Sequence, residues 1–388
     1  MQALEAYGKS PRRGRIWLLS IGALVLVIAG IGVAYAVGRS SGAKAADTGA
    51  TTTTAVPHVR PLSVHASSPA AGAQGVASNA DISITFSSPV SLGPDKPTLS
   101  PAVAGQWVQP SPTTIRYDLA APLVPYSNEE VNIPGGASGV KAKDGATLPA
   151  SSSYGFTVAP GDTLRLQELL AQLGYLPLTF TSSATVTPAD MATPAYGNFA
   201  WRWPTLPAEL TSQWTQGSPG EITKAAIMSF ENQNGMTVDG LAGPEVWATL
   251  LQDVATNKVN ANPYVYVLVS KVLPENLTLY DNGAAQYTNI PVNTGAPGAD
   301  TTDGTYAVFE HVTSSVMKGT NPDGTTYDDP AVPWASYFNG GDALHGFVRA
   351  QYGFPQSNGC VEMTVANAGM LWPLTPIGTL VTVVGPAS

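Results

Sequence analysis

The stretch 345-HGFVRAQYGFPQSNGC-360 contains Cys360, the single cysteine among 388 residues, and begins with a histidine fifteen positions upstream. A lone cysteine cannot form an internal disulfide bond, so it serves either as a buried apolar side chain or as a reactive thiol. A histidine within hydrogen-bond reach raises the thiolate fraction of such a thiol. The spacing would let two adjacent strands bring His345 and Cys360 together. It also fits a buried cysteine with an unrelated histidine.

The same stretch, extended to Met363, resembles the signature of the L,D-transpeptidase catalytic domain of the YkuD type, usually written HG…G.P.SHGC[VI]R[LM]. Segments 278–283, 292–295 and 302–306 are similar to the hairpin, strand and turn that precede this signature in the family. The resemblance implies a mainly β catalytic domain, sandwich-like or barrel-like, over residues 262–386.

The resemblance also implies roles for particular residues. Cys360 would be the nucleophile and His345 the general base. The backbone carbonyl of Gly346 would orient the imidazole, and the amides of Gly359 and Cys360 would hold the oxyanion. The substrate contacts that the family implies would here be Tyr327, Trp334, Ser357 and Asn358.

The implied activity is that of a cysteine acyltransferase of peptidoglycan. Cys360 would attack the carbonyl that joins the third residue of a donor tetrapeptide stem to its terminal D-Ala, and D-Ala would leave. The side-chain amine of a diamino acid in an acceptor stem would then take the thioester, which gives a 3→3 cross-link. We expect no cofactor and no metal, and we expect carbapenem-type β-lactams to be inhibitors.

Two other functions fit the same residues. An L,D-carboxypeptidase would hand the thioester to water, because the sequence does not reveal how well the acceptor site excludes water. A catalytically silent wall-binding anchor would keep the cysteine without using it. The signature departs from the family at Asn358, where histidine is usual, and at Glu362, where Arg or Asn is usual. A carboxylate near the thiol would disfavour the thiolate.

The N-terminal residues predict a membrane anchor. Residues 16–37 form an uncharged apolar run that is long enough for a transmembrane helix. The basic residues of 1–15 predict a cytoplasmic tail, and the Thr-rich segment 38–60 a flexible linker. We therefore expect a single-pass protein of the cell membrane whose later domains lie outside, at the cell wall. A cleaved signal peptide and a twin-arginine signal are the alternatives.

Residues 61–158 show short alternating strands between Gly, Pro, Asn and Ser clusters, as at 82–86, 114–117 and 154–158. This pattern predicts a β-sandwich. The opening of the segment resembles bacterial immunoglobulin-like domains. It has no catalytic constellation, which favours a spacer.

Residues 160–256 have helical periodicity at 163–176 and 222–232 and a Pro-led helix from Pro244. They resemble the small three-helix peptidoglycan-binding domain, with an insertion at about 178–219. Three tryptophans of the insertion would either stack on sugar rings or cover the helical core, and the core is the favoured interpretation: Trp201, Trp203 and Trp214.

Composition and motifs exclude several function classes. Only 12% of the residues are charged and the net charge is −9, so nucleic acid is not an expected partner. The Gly-rich run 295–300 lacks both the GxGxxG spacing and the Lys-Ser/Thr of a P-loop. The sequence has no HExxH and no zinc-type cluster of ligands. The expected protein is therefore multidomain and mainly β.

Overall fold

The computed structural model describes residues 60–385, in three parts that follow one another along the chain. These parts are an N-terminal β-sandwich, a helical module and a C-terminal β domain. No helix within residues 60–385 is long and apolar enough to cross a membrane. The predicted tail (1–15), the predicted membrane span (16–37) and nearly all of the predicted linker (38–60) lie outside the described residues.

The N-terminal β-sandwich is built from strands whose apolar residues alternate. In β2, Ile82, Ile84 and Phe86 are buried while the residues between them are partly exposed, so one face of the strand supplies core. The main sheets have the strand orders β1-β2-β6-β5 and β4-β7-β9. The strand bounds are β1 Val64–Ser68, β2 Ile82–Phe86, β3 Val90–Ser91, β4 Thr98–Ser100, β5 Gly105–Ser111, β6 Thr114–Leu119, β7 Asn128–Ile133, β8 Lys141–Ala142 and β9 Ser152–Thr157.

The helical module begins where the carboxylate of Asp162 accepts hydrogen bonds from the amides of Leu164 and Arg165 and so caps its first helix. The helices predicted at 222–232 and from Pro244 are confirmed with small shifts of their ends. The insertion folds into a two-stranded hairpin and a short helix. The bounds are α1 Thr163–Gln172, β10 Leu178–Ser182, β11 Gly197–Trp201, α2 Ala208–Thr211, α3 Glu221–Gln233 and α4 Pro244–Ala255.

The C-terminal domain consists of two sheets, with strand orders β14-β13-β12-β20-β15 and β16-β17-β18-β19. Asn282 and Gly283 both have positive φ, 45° and 77°, as a type I′ turn requires, and they join β13 and β14 in the hairpin expected at 278–283. The bounds are β12 Val265–Ser270, β13 Asn276–Asp281, β14 Ala284–Pro291, β15 Gly304–Ala307, β16 Glu310–Thr320, β17 Thr326–Asn339, β18 Asp342–Gly346, β19 Val361–Met363, α5 Val365–Leu371 and β20 Leu380–Val384.

The helical module and the C-terminal domain share one apolar core. Tyr266, Ala307 and Leu380 of the five-stranded sheet are buried together with the side chains of the helices. The hydroxyl of Thr205 also donates to the Gly283 carbonyl at 2.6 Å. The five-stranded sheet therefore carries the helical module, and the residues singled out as catalytic belong to the other sheet.

The three tryptophans of the insertion pack against the helical core, as favoured from the sequence. Trp214 lies 5.5 Å from the ring of Phe199, and Trp203 is stacked on Tyr264 at 6.1 Å. These rings hold the insertion onto the two domains that it joins.

Candidate active site

The site forms where two parallel strands lie side by side. In the register of β18 and β19, Leu344 faces Val361 and His345 faces Glu362. Cys360 is the residue directly before β19, at the level of Ala343. Side chains two apart on a strand share a face, so the imidazole and the thiol belong to the same face of this sheet, on neighbouring strands.

His345 is buried and held in one tautomer. Its side chain is only 2% exposed, and Nδ1 lies 3.1 Å from the carbonyl oxygen of Gly346. A carbonyl only accepts, so Nδ1 carries the proton and Nε2 keeps a free lone pair. Burial lowers the pKa of His345, while the bond to Gly346 and the charge of Glu362 oppose that shift. The imidazole is therefore a neutral base at pH 7.

Cys360 is partly buried, and its thiol contacts the backbone just before β18. Sγ donates to the carbonyl oxygen of Gly341 at 3.6 Å. Burial raises the pKa of the thiol to about 12, and the carboxylates of Asp342 and Glu362 add to the effect. Within residues 60–385 no hydrogen bond joins the thiol to the imidazole. In this resting arrangement the cysteine is a thiol.

Asp342 is a carboxylate next to the cysteine that sequence reasoning missed. Burial raises its pKa to about 6, against a hydrogen bond from Asn339. Gly359 lies so close that a Cβ at this position would collide with the Asp342 carboxylate, and its φ of 108° suits only glycine. The glycine before the cysteine is therefore required by both backbone conformation and space.

The turn before the cysteine is fixed by Ser357. This residue is 2% exposed, and its hydroxyl donates to the Cys360 carbonyl at 2.6 Å. The Ser357 hydroxyl oxygen also accepts a hydrogen bond from the Gly359 amide at 3.2 Å. The Ser357 hydroxyl therefore shapes the loop, and in this arrangement the Gly359 amide already has an acceptor. The substrate contact expected of Ser357 and the oxyanion role expected of the Gly359 amide stay predictions.

The other predicted substrate contacts have different surroundings. Tyr327 lies close enough to Cys360 that the thiolate charge contributes to its raised pKa, after burial. Asn358 is exposed, and its amide donates to Asn321 Oδ1 at 2.6 Å. Trp334 is partly buried and packs against the core of the domain, 5.5 Å from the ring of Trp372. The packing of Trp334 is observed, and the substrate contact expected of it stays a prediction.

Asn321 belongs to the turn of a long hairpin, β16–β17, that the sequence analysis did not predict. The segment 321–324, Asn-Pro-Asp-Gly, is a strong turn signal that would have indicated it. The hairpin carries Tyr327 and, through the bond between Asn321 and Asn358, its tip contacts the cysteine loop.

Glu362 is not the isolated carboxylate that the sequence suggested. Arg349 Nε donates to one of its oxygens at 2.8 Å and Nη2 to the other at 2.7 Å. The Glu362 side chain is 6% exposed and that of Arg349 is 30% exposed. The expected penalty of a lone charge beside the thiol is therefore reduced by a two-pronged ion pair.

A second buried carboxylate, that of Glu275, is connected to the cysteine loop through Thr294. Glu275 accepts from both the amide and the hydroxyl of Thr294, each at 2.7 Å. Thr294 in turn accepts the backbone amide of Ser357 at 2.9 Å through its carbonyl. The Thr301 hydroxyl donates to the Gly359 carbonyl at 2.7 Å. These contacts fix the cysteine loop from the opposite side.

Three family models match the chain. Residues 264–383 match the L,D-transpeptidase catalytic domain, residues 58–158 a bacterial Ig-like domain, and residues 211–250 a putative peptidoglycan binding domain. All three resemblances drawn from the sequence are confirmed. No curated protein is similar enough to count as a match. At a general level, the catalytic-domain match supports a peptidoglycan transpeptidase.

Solved structures that resemble the chain carry L,D-transpeptidase names. An L,D-transpeptidase from Mycobacterium smegmatis is 13% identical, with 84% of this chain and 100% of that chain covered and a TM-score of 0.28. L,D-transpeptidase 3 from Mycobacterium tuberculosis is 13% identical, with 83% and 98% covered and a TM-score of 0.29. The catalytic domain of the E. faecium enzyme acylated by ertapenem is 23% identical, with 32% and 100% covered and a TM-score of 0.28.

Proposed function

We propose that the protein is an L,D-transpeptidase that forms 3→3 cross-links in peptidoglycan through a thioester on Cys360. The observation that carries this proposal is the contact between His345 Nδ1 and the carbonyl oxygen of Gly346. Nδ1 is committed to the Gly346 carbonyl and Nε2 is free, on the strand next to the chain's only cysteine and on the same face. The match of residues 264–383 to the catalytic domain supports it.

The first step is acylation. The thiol leaves the Gly341 carbonyl by rotation of its side chain and passes its proton to His345 Nε2. The sulfur attacks the carbonyl that precedes the terminal D-Ala of a tetrapeptide stem, and the Cys360 amide donates to the oxyanion. The bond to D-Ala breaks as the imidazolium returns the proton to the leaving amine.

The second step regenerates the thiol. A diamino-acid amine of a neighbouring stem loses a proton to Nε2 and attacks the thioester carbonyl. The amide cross-link forms as the C–S bond breaks, and the Cys360 sulfur takes the proton back from the imidazolium. The neutral imidazole fits this role because the pKa of His345 is lowered by burial. Tyr327 on the β16–β17 hairpin lies beside the cysteine and is our proposed contact to the donor stem.

We also propose that the chain works outside the cell membrane, held by a span at residues 16–37, while its helical module contacts the cell wall. The match of residues 211–250 to a putative peptidoglycan binding domain supports the contact with the cell wall. A protease added to intact cells tests the topology, because it reaches only the parts of the chain outside the membrane. We expect it to cleave the C-terminal domain. A C-terminal domain that is cleaved only after the cells are opened would contradict the proposed topology.

Carbapenem-type β-lactams would inhibit the enzyme, since their strained amide can acylate the same thiol.

Mass spectrometry of products tests the activity. Residues 60–388 are incubated with disaccharide-tetrapeptide, with the Cys360→Ala variant as control. We expect a dimer whose mass is that of two monomers less one D-Ala, and fragmentation that places the link between two diamino acids. Disaccharide-tripeptide without dimer would assign an L,D-carboxypeptidase, and unchanged substrate would favour a silent anchor.

A further inference from the structure

The pair Arg349–Glu362 connects the loop between the two catalytic candidates to the strand that follows Cys360. Glu362 faces His345 across β18 and β19, and Arg349 lies four residues after His345 in the loop. Besides the two bonds to Glu362, Nη2 of Arg349 points to the Gln356 carbonyl at 3.5 Å. The guanidinium therefore ties both arms of the loop to β19.

The pair is also linked to the imidazole through a ring. The guanidinium carbon of Arg349 lies 4.7 Å from the centroid of Phe347, within cation–π range. The Phe347 ring is in turn perpendicular to His345, with centroids 6.0 Å apart and an interplanar angle of 88°. The contacts therefore run from His345 to Phe347, from Phe347 to Arg349 and from Arg349 to Glu362. Glu362 in turn lies opposite His345 in the register of β18 and β19.

The charges around both catalytic candidates come from several elements. The imidazole is influenced by Glu362 of β19, Arg349 of the loop and Asp329 of β17. The thiol is influenced by Glu362 and by Asp342 of β18, and it faces Tyr327 of β17. Among these, Glu362 acts on both groups, and Arg349 is the cation paired with it.

We propose that Arg349 and Glu362 are positioning residues that act as a unit: the pair holds Phe347 against the imidazole and balances the charge that reaches the thiol. The inference rests on the proposed function, in which Cys360 and His345 do the chemistry. The sequence departs from the family pattern by placing an acid at 362, and the arginine of the loop compensates for it. Either partner alone would leave a partly buried unpaired charge next to the site.

The test uses the full chain and the rate at which iodoacetamide alkylates its one cysteine at pH 8.5. Glu362→Gln removes a charge that disfavours the thiolate, so we expect alkylation at least about 3-fold faster. Arg349→Gln leaves the carboxylate uncompensated, and we expect alkylation about 3-fold slower. In the double variant, which has no charge at either position, the rate should return to between those of the two single variants.

Controls separate positioning from simple stability. Glu168→Gln breaks the buried pair of Glu168 with Arg165 in the helical module, 2.7 Å between its charged atoms, and should lower Tm without changing alkylation. Arg349→Lys keeps the charge and should alkylate at a rate closer to that of the wild type than Arg349→Gln does. If Arg349→Gln does not fold, the faster alkylation expected of Glu362→Gln alone decides the test. Equal rates in all Arg349 and Glu362 variants, with only Tm lowered, would overturn the proposal.

The alkylation readout does not depend on peptidoglycan turnover. Opposite shifts in the two single variants, found with a wild-type protein that forms no cross-links, would support the charge balance and refute the proposed function. Cross-linking by the wild type, with the same alkylation rate in every variant, would support the proposed function and refute the charge balance.

Discussion

Two arginine–glutamate pairs in residues 60–385 have the same chemistry and different surroundings. In the helical module, Arg165 and Glu168 lie on one helix at 2.7 Å with side chains 2% and 0% exposed. Arg165 also donates to the Met191 carbonyl at 2.8 Å, and both Glu168 oxygens accept the Ala195 amide. The pair fixes the insertion onto α1, and its charges are closed off from solvent.

The pair Arg349–Glu362 is more open. Arg349 is 30% exposed, and its neighbours are the imidazole, the cysteine loop and an aromatic ring. The comparison suggests a division of roles: a buried charge pair that also bonds to the backbone fixes local structure, whereas we propose that a pair beside reactive groups tunes their chemistry. Within the described residues, the helical module is of the first kind and the β18–β19 face of the second.

The largest effect should come from His345. His345→Gln removes the base at Nε2, so kcat/KM for tetrapeptide should fall by about 10²–10⁴-fold. Product release measured as free D-Ala checks this. His311→Gln is the matched control, because His311 too contacts a carbonyl oxygen, that of Trp372 at 2.9 Å, but it is only partly buried and lies outside the site. A similar loss of activity in both variants would mean that packing alone matters.

Removing a core side chain from the helical module should lower the free energy of unfolding. Trp247 is 1% exposed, and a Cβ at Gly161 would collide with its ring, so the indole fills its site completely. Trp247→Ala should lower the free energy of unfolding by about 3–5 kcal/mol, measured by urea denaturation. Leu241→Ala, at a residue 68% exposed, should change it by less than about 0.5 kcal/mol. Equal effects would contradict the packing described here.

Glu231 should make the helical module pH-dependent. Its Oε2 accepts the amides of Asp239 and Gly240 at 3.1 and 2.9 Å, which fixes the turn before α4. Burial raises its pKa to about 7 from 4.5. Because the folded pKa is the higher one, its contribution to stability is complete below pH 4.5 and is lost as the pH rises through about 7.

Glu231→Gln should remove that dependence. The fall in unfolding free energy between pH 5 and pH 8 should be smaller in the variant by about 1–2 kcal/mol, measured by urea denaturation at both values. Asp342 titrates in the same window, with a pKa raised to about 6, and is unchanged in both proteins. An identical slope for variant and wild type would show that Glu231 does not titrate there.

The smallest effect should be at Asn358, where the family has histidine. The residue is exposed and bonded only to Asn321, and an exposed hydrogen bond is worth about 1 kcal/mol or less. Asn358→His should therefore change cross-linking less than about 5-fold. A control variant, Asn321→Ala, removes the same bond from the hairpin side. A gain above tenfold in Asn358→His alone would show that the missing imidazole limits the rate.

The sequence predicted elements with a strong local signal. The helix periodicity at 222–232, the hairpin expected at 278–283 and the alternation at 82–86 all correspond to observed elements. The β16–β17 hairpin was missed because Pro330 and Pro333 and a run of small polar residues interrupt its alternation. Proline in a strand lowers the strand signal, although edge and bulge positions tolerate it.

The site was predicted only in part for the same reason. Cys360 and His345 stand out by residue type and motif. The pairing of Arg349 with Glu362, thirteen residues apart, depends on how the loop folds back on β19, which no local pattern encodes. Ser357 and Trp334 have suitable chemistry for substrate contacts, but the sequence does not encode the contacts that the structure gives them: the Ser357 hydroxyl bonds the Cys360 carbonyl, and Trp334 packs against Trp372.

The most direct test of the account is the intact mass of the protein after a short incubation with disaccharide-tetrapeptide and an acid quench. We predict an adduct equal to the substrate less D-Ala, carried by the peptide that contains Cys360 and absent from Cys360→Ala. It should accumulate in Glu231→Gln as in the wild type. Substrate conversion by the Cys360→Ala variant, or an adduct on any other residue, would contradict the central claim that this thiol carries the acyl group.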